Sequence, residues 1–152
     1  MTPFRLSVAG RYAERHAITQ ILAHANLDTL PVEITASWLN GTAESDADLT
    51  DAQAVAQVDQ NVLEILSSQA LLYVPSWSTR WDDLDPAMPS HEPRPIWSPG
   101  RLIDFGLAMG VMIPIIVVGR PEPTIYQRGE LVTVCDWGTL RETIQRVLNM
   151  KD

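Results

Sequence analysis

Apolar residues along this chain fall into two kinds of pattern, and the alternation between them predicts the architecture. Unbroken runs occur at "ALLYVP" (70–75) and "IPIIVVG" (113–119). Both read as strands buried on two faces. "FRLSVAG" (4–10), which stops at Gly10, "LPVEITASW" (30–38) and "LVTVCDW" (131–137) add three more strands. Between them the apolar positions recur at helical spacing. Ile18, Ile21, Leu22 and Ala25 define a helix from Tyr12 to about Leu27. Val55, Val58, Val62 and Leu66 are the expected inward stripe of a second helix, capped by Thr50 or Asp51 and running to about Ser67. A third helix fills "SPGRLIDFGLAMG" (98–110), and a fourth begins near Thr139.

Strand–helix alternation predicts a parallel sheet with helices on both faces. The expected fold is a single α/β domain over residues 1–152, a flavodoxin-like doubly wound sheet of five strands in order 2-1-3-4-5. In such folds ligands sit beyond the carboxyl ends of the strands. Here that edge collects Gly10–Tyr12, Ser37–Trp38, Pro75–Trp77 and Gly119–Arg120, with the loop leading to Asp104. The segment from 76 to 99, rich in Pro and Trp, is longer than an ordinary connection. Trp77, Trp81 and Trp97 make it an expected lid or subunit contact.

Charge narrows the partners. The formal net charge is −8, which argues against nucleic acid or an anionic membrane. No apolar run reaches the length of a membrane span. A single cysteine, Cys135, allows no internal disulfide, so a cytoplasmic location is expected. Cys135 reads as a strand residue. His16, His24 and His91 have no metal-ligand spacing, and neither a metal nor a cofactor is expected. "AGRYAER" lacks the later glycines and the lysine of phosphate-cradling loops.

Asp104 is the residue that needs an explanation. Acids near a helix start are favoured by the helix dipole alone. However, Gly100 precedes it by four residues and Gly106 follows by two, so the backbone can approach a ligand closely. A second acid, Asp59, borders the expected apolar stripe of the second helix, where an unpaired carboxylate is costly.

"AGRY", "SWLNG", Asp59 ahead of strand three and "GRLIDFGLAMGVMIPIIVVG" together resemble the nucleoside 2-deoxyribosyltransferase family, particularly its small phage and bacterial members. The likeness runs from about Leu6 to Leu148. It implies N-glycosidic bond cleavage or base exchange on a nucleoside or nucleoside 5′-monophosphate, through a glycosyl-enzyme ester. By that resemblance Asp104 is the nucleophile and Asp59 assists the leaving base. Ser98 matches a position that contacts the sugar or its 5′-phosphate, and Gly100 lies on the same substrate-binding segment. Gly10, Arg11 and Tyr12 match the first loop, which approaches the sugar and, in the monophosphate hydrolases, the phosphate. Trp38 is a base-stacking candidate, and a core position suits it equally. The family also implies a homo-oligomer, with Tyr126 bordering a neighbouring subunit's site. Two departures stand out. The family nucleophile is usually Glu, one methylene longer than Asp104, and Gln69 stands where many members have an acid. The shorter side chain leaves a second reading, a catalytically silent nucleotide-binding protein of the same fold.

Overall fold

The uninterrupted apolar runs become the middle of a sheet. In the computed structural model, which describes residues 2–78 and 93–149, β1 (Phe4–Ala9), β2 (Val32–Ile34) and β3 (Ala70–Tyr73) pair in parallel. β4 (Trp77–Ser78) and β5 (Arg94–Pro95) form a separate antiparallel ladder. β6 (Ile115–Val118) and β7 (Val132–Cys135) complete the main sheet, whose order is β2-β1-β3-β6-β7. This is the five-stranded, all-parallel flavodoxin-like arrangement that the alternation predicts, with the β4–β5 ladder inserted after its third strand. Every residue of β3 and β6 is buried, as strands covered on both faces must be.

Among the described residues four α-helices cover the sheet: α1 (Arg15–His24), α2 (Asp51–Leu66), α3 (Pro99–Gly110) and α4 (Leu140–Val147). α1 and α4 place Ile18, Leu22, Leu140 and Ile144 on one face, against Leu6, Val8, Leu72, Ile116 and Val118. α2 and α3 place Ile65, Phe105 and Ala108 on the other, against Leu71, Tyr73, Ile115 and Val117. The two cores use alternate residues of the same strands, which is the period of the pleat.

Several local expectations are corrected. The first helix begins as a 3-10 turn at Tyr12–Glu14 and becomes α-helical only from Arg15. The second strand is short, because Ser37–Asn40 coil into a 3-10 turn. Most of the expected inward stripe of α2 points outward: Val55, Val58 and Leu66 are 61%, 59% and 50% exposed, while Val62 is half-buried. Glu64 and Ile65 are the buried residues of that helix. α2 starts where expected, with a reciprocal cap between Thr50 and Gln53. The 76–99 segment, expected to be irregular, is closed at its base by the β4–β5 ladder. Trp81, His91 and the remainder of the expected lid lie outside the described residues. No helix among the described residues is long and apolar enough to cross a membrane.

Candidate active site

The carboxyl edge of the sheet opens into a cavity of about 820 Å³. One wall comes from Gly10 and Tyr12 after β1 and Trp38 in the turn after β2; another comes from α2, with Gln53, Ala56, Gln57, Gln60 and Asn61. The start of α3 supplies Ser98, Pro99, Gly100, Arg101 and Asp104. Gly41, Thr42, Ala43, Asp48 and Leu49 complete the lining from the segment before α2.

Glycine is required where this wall is built. A Cβ on Gly10 would sit 2.7 Å from Ile18 Cδ1 and 3.2 Å from the Trp38 ring. A Cβ on Gly41 would collide with the Tyr12 hydroxyl oxygen. That hydroxyl donates to the Ala43 carbonyl at 3.0 Å. Behind it, the Arg15 guanidinium lies 4.2 Å from the Tyr12 ring centre and donates to the carbonyls of Tyr12, Gly41 and Ala43. Trp38 is both core and wall: it is buried, its Nε1 donates to the Val8 carbonyl at 2.8 Å, and its ring borders the cavity. Gly100 differs from these glycines, since a Cβ there would meet open space.

Asp104 lies on the cavity side of α3, and burial together with the nearby Glu64 carboxylate pushes its carboxyl up to about 7. Glu64 is 6% exposed and accepts from the Ser37 backbone N–H, at 3.2 Å to each oxygen, and from Gln60 Nε2 at 2.9 Å. Those donors hold Glu64 in place as a fixed acid beside Asp104, across the packed α2–α3 pair.

The first turn of α3 is anchored by Arg101, which is 1% exposed. Its Nε donates to the Tyr73 hydroxyl at 3.1 Å. One terminal nitrogen donates to Ser76 Oγ at 3.0 Å and the Val74 carbonyl at 3.4 Å. The other donates to the Ile96 carbonyl at 2.9 Å and pairs with the buried Glu122 carboxylate. All five guanidinium donors are thereby used. Glu122 also accepts from Tyr73 and Gln127, and Ser76 donates to Glu14. Burial and the Glu122 contact both raise the pKa of the Tyr73 phenol. Arg101 therefore ties the helix bearing Asp104 to β3, to the segment after β5 and to the turn after β6.

Of the residues singled out by sequence, the structure brings Asp104, Gly10, Tyr12, Trp38, Ser98 and Gly100 to one cavity. It does not bring Asp59 or Arg11 there. Asp59 is exposed on α2, because the helix turns Gln57, Gln60 and Asn61 inward instead. Arg11 is half-buried outside the lining residues. Glu64, Arg101, Glu122 and the carboxamides of α2 were not anticipated. The carboxamides had a readable signal, since Gln53, Gln57 and Asn61 recur every four residues. Among the described residues no group of His, Cys, Asp and Glu is arranged to hold a metal ion.

No protein-family model matches the chain, and no curated protein matches it. Solved structures do. The CMP N-glycosidase BcmB of Clostridium botulinum shares 14% sequence identity at a TM-score of 0.51, covering 97% of this chain and 99% of that one. A conserved protein from Enterococcus faecalis V583 shares 13% identity at a TM-score of 0.48, covering 76% of this chain and 63% of that one. The first likeness is one of fold along nearly the whole length of both chains.

Proposed function

We propose that this protein cleaves the N-glycosidic bond of a nucleoside or nucleotide, with Asp104 as nucleophile. The observation that carries the reading is the placement of Asp104. It is a largely buried carboxyl group at the carboxyl edge of a doubly wound sheet, facing a cavity large enough for a nucleoside. The fold match to a CMP N-glycosidase supports this reaction class.

In this reading the ionised Asp104 attacks the anomeric carbon as the bond to the base nitrogen breaks. The bonding electrons leave with the base, which takes up a proton. The resulting glycosyl ester is resolved by water, giving the free sugar, or by a second base, giving exchange. Desolvation raises the energy of the anion and so strengthens its attack. Trp38 presents a ring against which a planar base can stack, and Ser98 and Gly100 flank the sugar position. The exposed Asp59 supplies nothing to this site. Incubating the protein with nucleosides and 5′-monophosphates, with and without an acceptor base, tests the reading. Release of free base or an exchanged nucleoside supports it, and intact substrates throughout overturn it.

One observation favours the silent binding reading. A carboxyl group with a pKa of about 7 is only half ionised at neutral pH, and Asp reaches less far than Glu. Binding without base release at pH 8, where Asp104 is ionised, is the result that favours it.

The same reading includes a homo-oligomer. The exterior of α2 leaves Val55, Val58, Leu63 and Leu66 at least half exposed, and α3 adds Ile103 at 67%. An apolar face of this kind on a small domain is suited to a second copy. Light scattering at micromolar concentration checks this; a clean monomer overturns it.

A further inference from the structure

The proposed reaction leaves open whether the substrate carries a 5′-phosphate, and the charges around the cavity bear on that choice. Among the described residues, Arg101 is the one cation in its lining. That guanidinium is buried, paired with Glu122, and has every N–H donor committed to protein acceptors. Arg15 is buried behind Tyr12 and directs its donors to backbone carbonyls. Arg11 and Arg94 lie outside the lining.

Two acids, Asp48 and Asp104, do line the cavity, and Glu64 lies close behind Asp104. Among the described lining residues, the start of α3 is the feature that favours an anion. A helix N-terminus is worth about half a positive charge, and Pro99 removes one of its free N–H groups. A phosphate monoester carries a charge of about −1.5 to −2. It would enter a lining whose own acids already outweigh that half charge.

The α2 wall is built for a neutral, polar ligand instead. Gln57 and Asn61 are half-buried on it, and Gln57 Nε2 donates to Asn61 Oδ1 at 2.8 Å. Gln57 Nε2 also donates to Ser37 Oγ at 3.4 Å, which leaves the Gln57 carbonyl and the Asn61 amide N–H groups without a side-chain partner among the hydrogen bonds described. Carboxamides both donate and accept, as sugar hydroxyls and base edges do, and they carry no charge.

We propose that the cavity takes an uncharged nucleoside, held by the carboxamides of Gln57 and Asn61, and discriminates against the corresponding 5′-monophosphate. This rests on the N-glycosidic reading above and narrows its substrate class.

The test titrates each common nucleoside, and separately its own 5′-monophosphate, into the full chain by calorimetry, while chromatography follows free base in the same samples. The expected result is a nucleoside whose Kd is at least tenfold below that of its monophosphate and changes less than twofold between 50 and 200 mM salt, roughly the range over which phosphate contacts weaken markedly. Gln57→Met and Asn61→Met should each weaken that nucleoside at least tenfold with an unchanged circular dichroism spectrum. Equal or tighter binding of the monophosphate overturns the inference, and base release from it leaves the N-glycosidic reading standing. Failure of every nucleoside and monophosphate to bind or release base overturns both. Undiminished nucleoside binding by both folded variants overturns the role given to the carboxamides.

Discussion

Asp104 on α3 borders the cavity with the buried Glu64 of α2 close behind it, and the Glu64 carboxylate helps to raise the Asp104 pKa. Hydrogen bonds from the Ser37 backbone N–H and Gln60 Nε2 fix Glu64 in that position. Burial, the larger cause, and this neighbouring carboxylate together raise the pKa of Asp104, the one of the two that borders the cavity.

A pH profile follows from that arrangement. If ionised Asp104 attacks, base release should rise with pH through about 7 and then level off. Glu64→Gln removes the like charge, so the rising limb should move to lower pH. The shift should be less than the whole elevation, because burial is the larger cause. Initial rates of base release between pH 5 and 9 for both proteins check this, and an unmoved limb in Glu64→Gln contradicts it.

Stability should respond in the opposite sense. A carboxyl group that titrates near 3.8 when unfolded and at about 7 when folded binds more protons in the folded state across that window. Folded stability therefore falls as pH rises from about 4 to 7, then stays level with respect to this group. Asp104→Asn removes the penalty. It should raise the melting temperature at pH 8, with a gain of roughly 2–4 kcal/mol as an upper range, and make little difference at pH 4. Base release should be abolished in the same variant, since the amide cannot form the ester. Thermal melts at the two pH values and an activity assay separate these effects.

Two glycines of the cavity should behave differently. Gly41→Ala drives a methyl group into the Tyr12 hydroxyl and should cost about 1–3 kcal/mol. Gly100→Ala meets open space within a helix, so it should leave stability unchanged or raise it by up to about 1 kcal/mol. It should nevertheless reduce base release by taking room from the ligand. Paired melts and assays of the two variants measure the contrast.

Breaking the buried Arg101–Glu122 pair from one side strands a charge. Arg101→Met should cost about 3–5 kcal/mol. Denaturant unfolding gives the loss, and a cost below 1 kcal/mol would contradict the anchoring role of this pair.

The sheet was legible because β3 and β6 are unbroken apolar runs, and a fully buried parallel strand can hardly look otherwise. Asp104 was legible because its neighbouring glycines and its place before β6 fix its position at the sheet edge. The facing of α2 was not. Val55, Val58, Leu63 and Leu66 turn outward while Gln57, Asn61 and Glu64 turn inward, so the usual rule of apolar-inside is reversed on part of the helix. Asp59 was chosen on that rule and fell on the exposed side for the same reason. Glu64, set in the apolar "VLEILSS", gave no sign that backbone and side-chain donors from Ser37 and Gln60 await it. Ser37 is 27 residues away in sequence, and the Gln60 contact alone, one turn back on the same helix, does not mark Glu64 as buried. Arg101 and Glu122, paired across 21 residues, pose the same difficulty.

α2 is thus a partition with a polar lining on one side and a greasy exterior on the other. Should a second copy cover that exterior, the wall that holds the ligand and the wall that joins the copies would be a single helix. Ligand occupancy and self-association would then be thermodynamically linked. Dilution would loosen the grip on substrate, and substrate would draw the copies together, so the working affinity of the protein would depend on its own abundance.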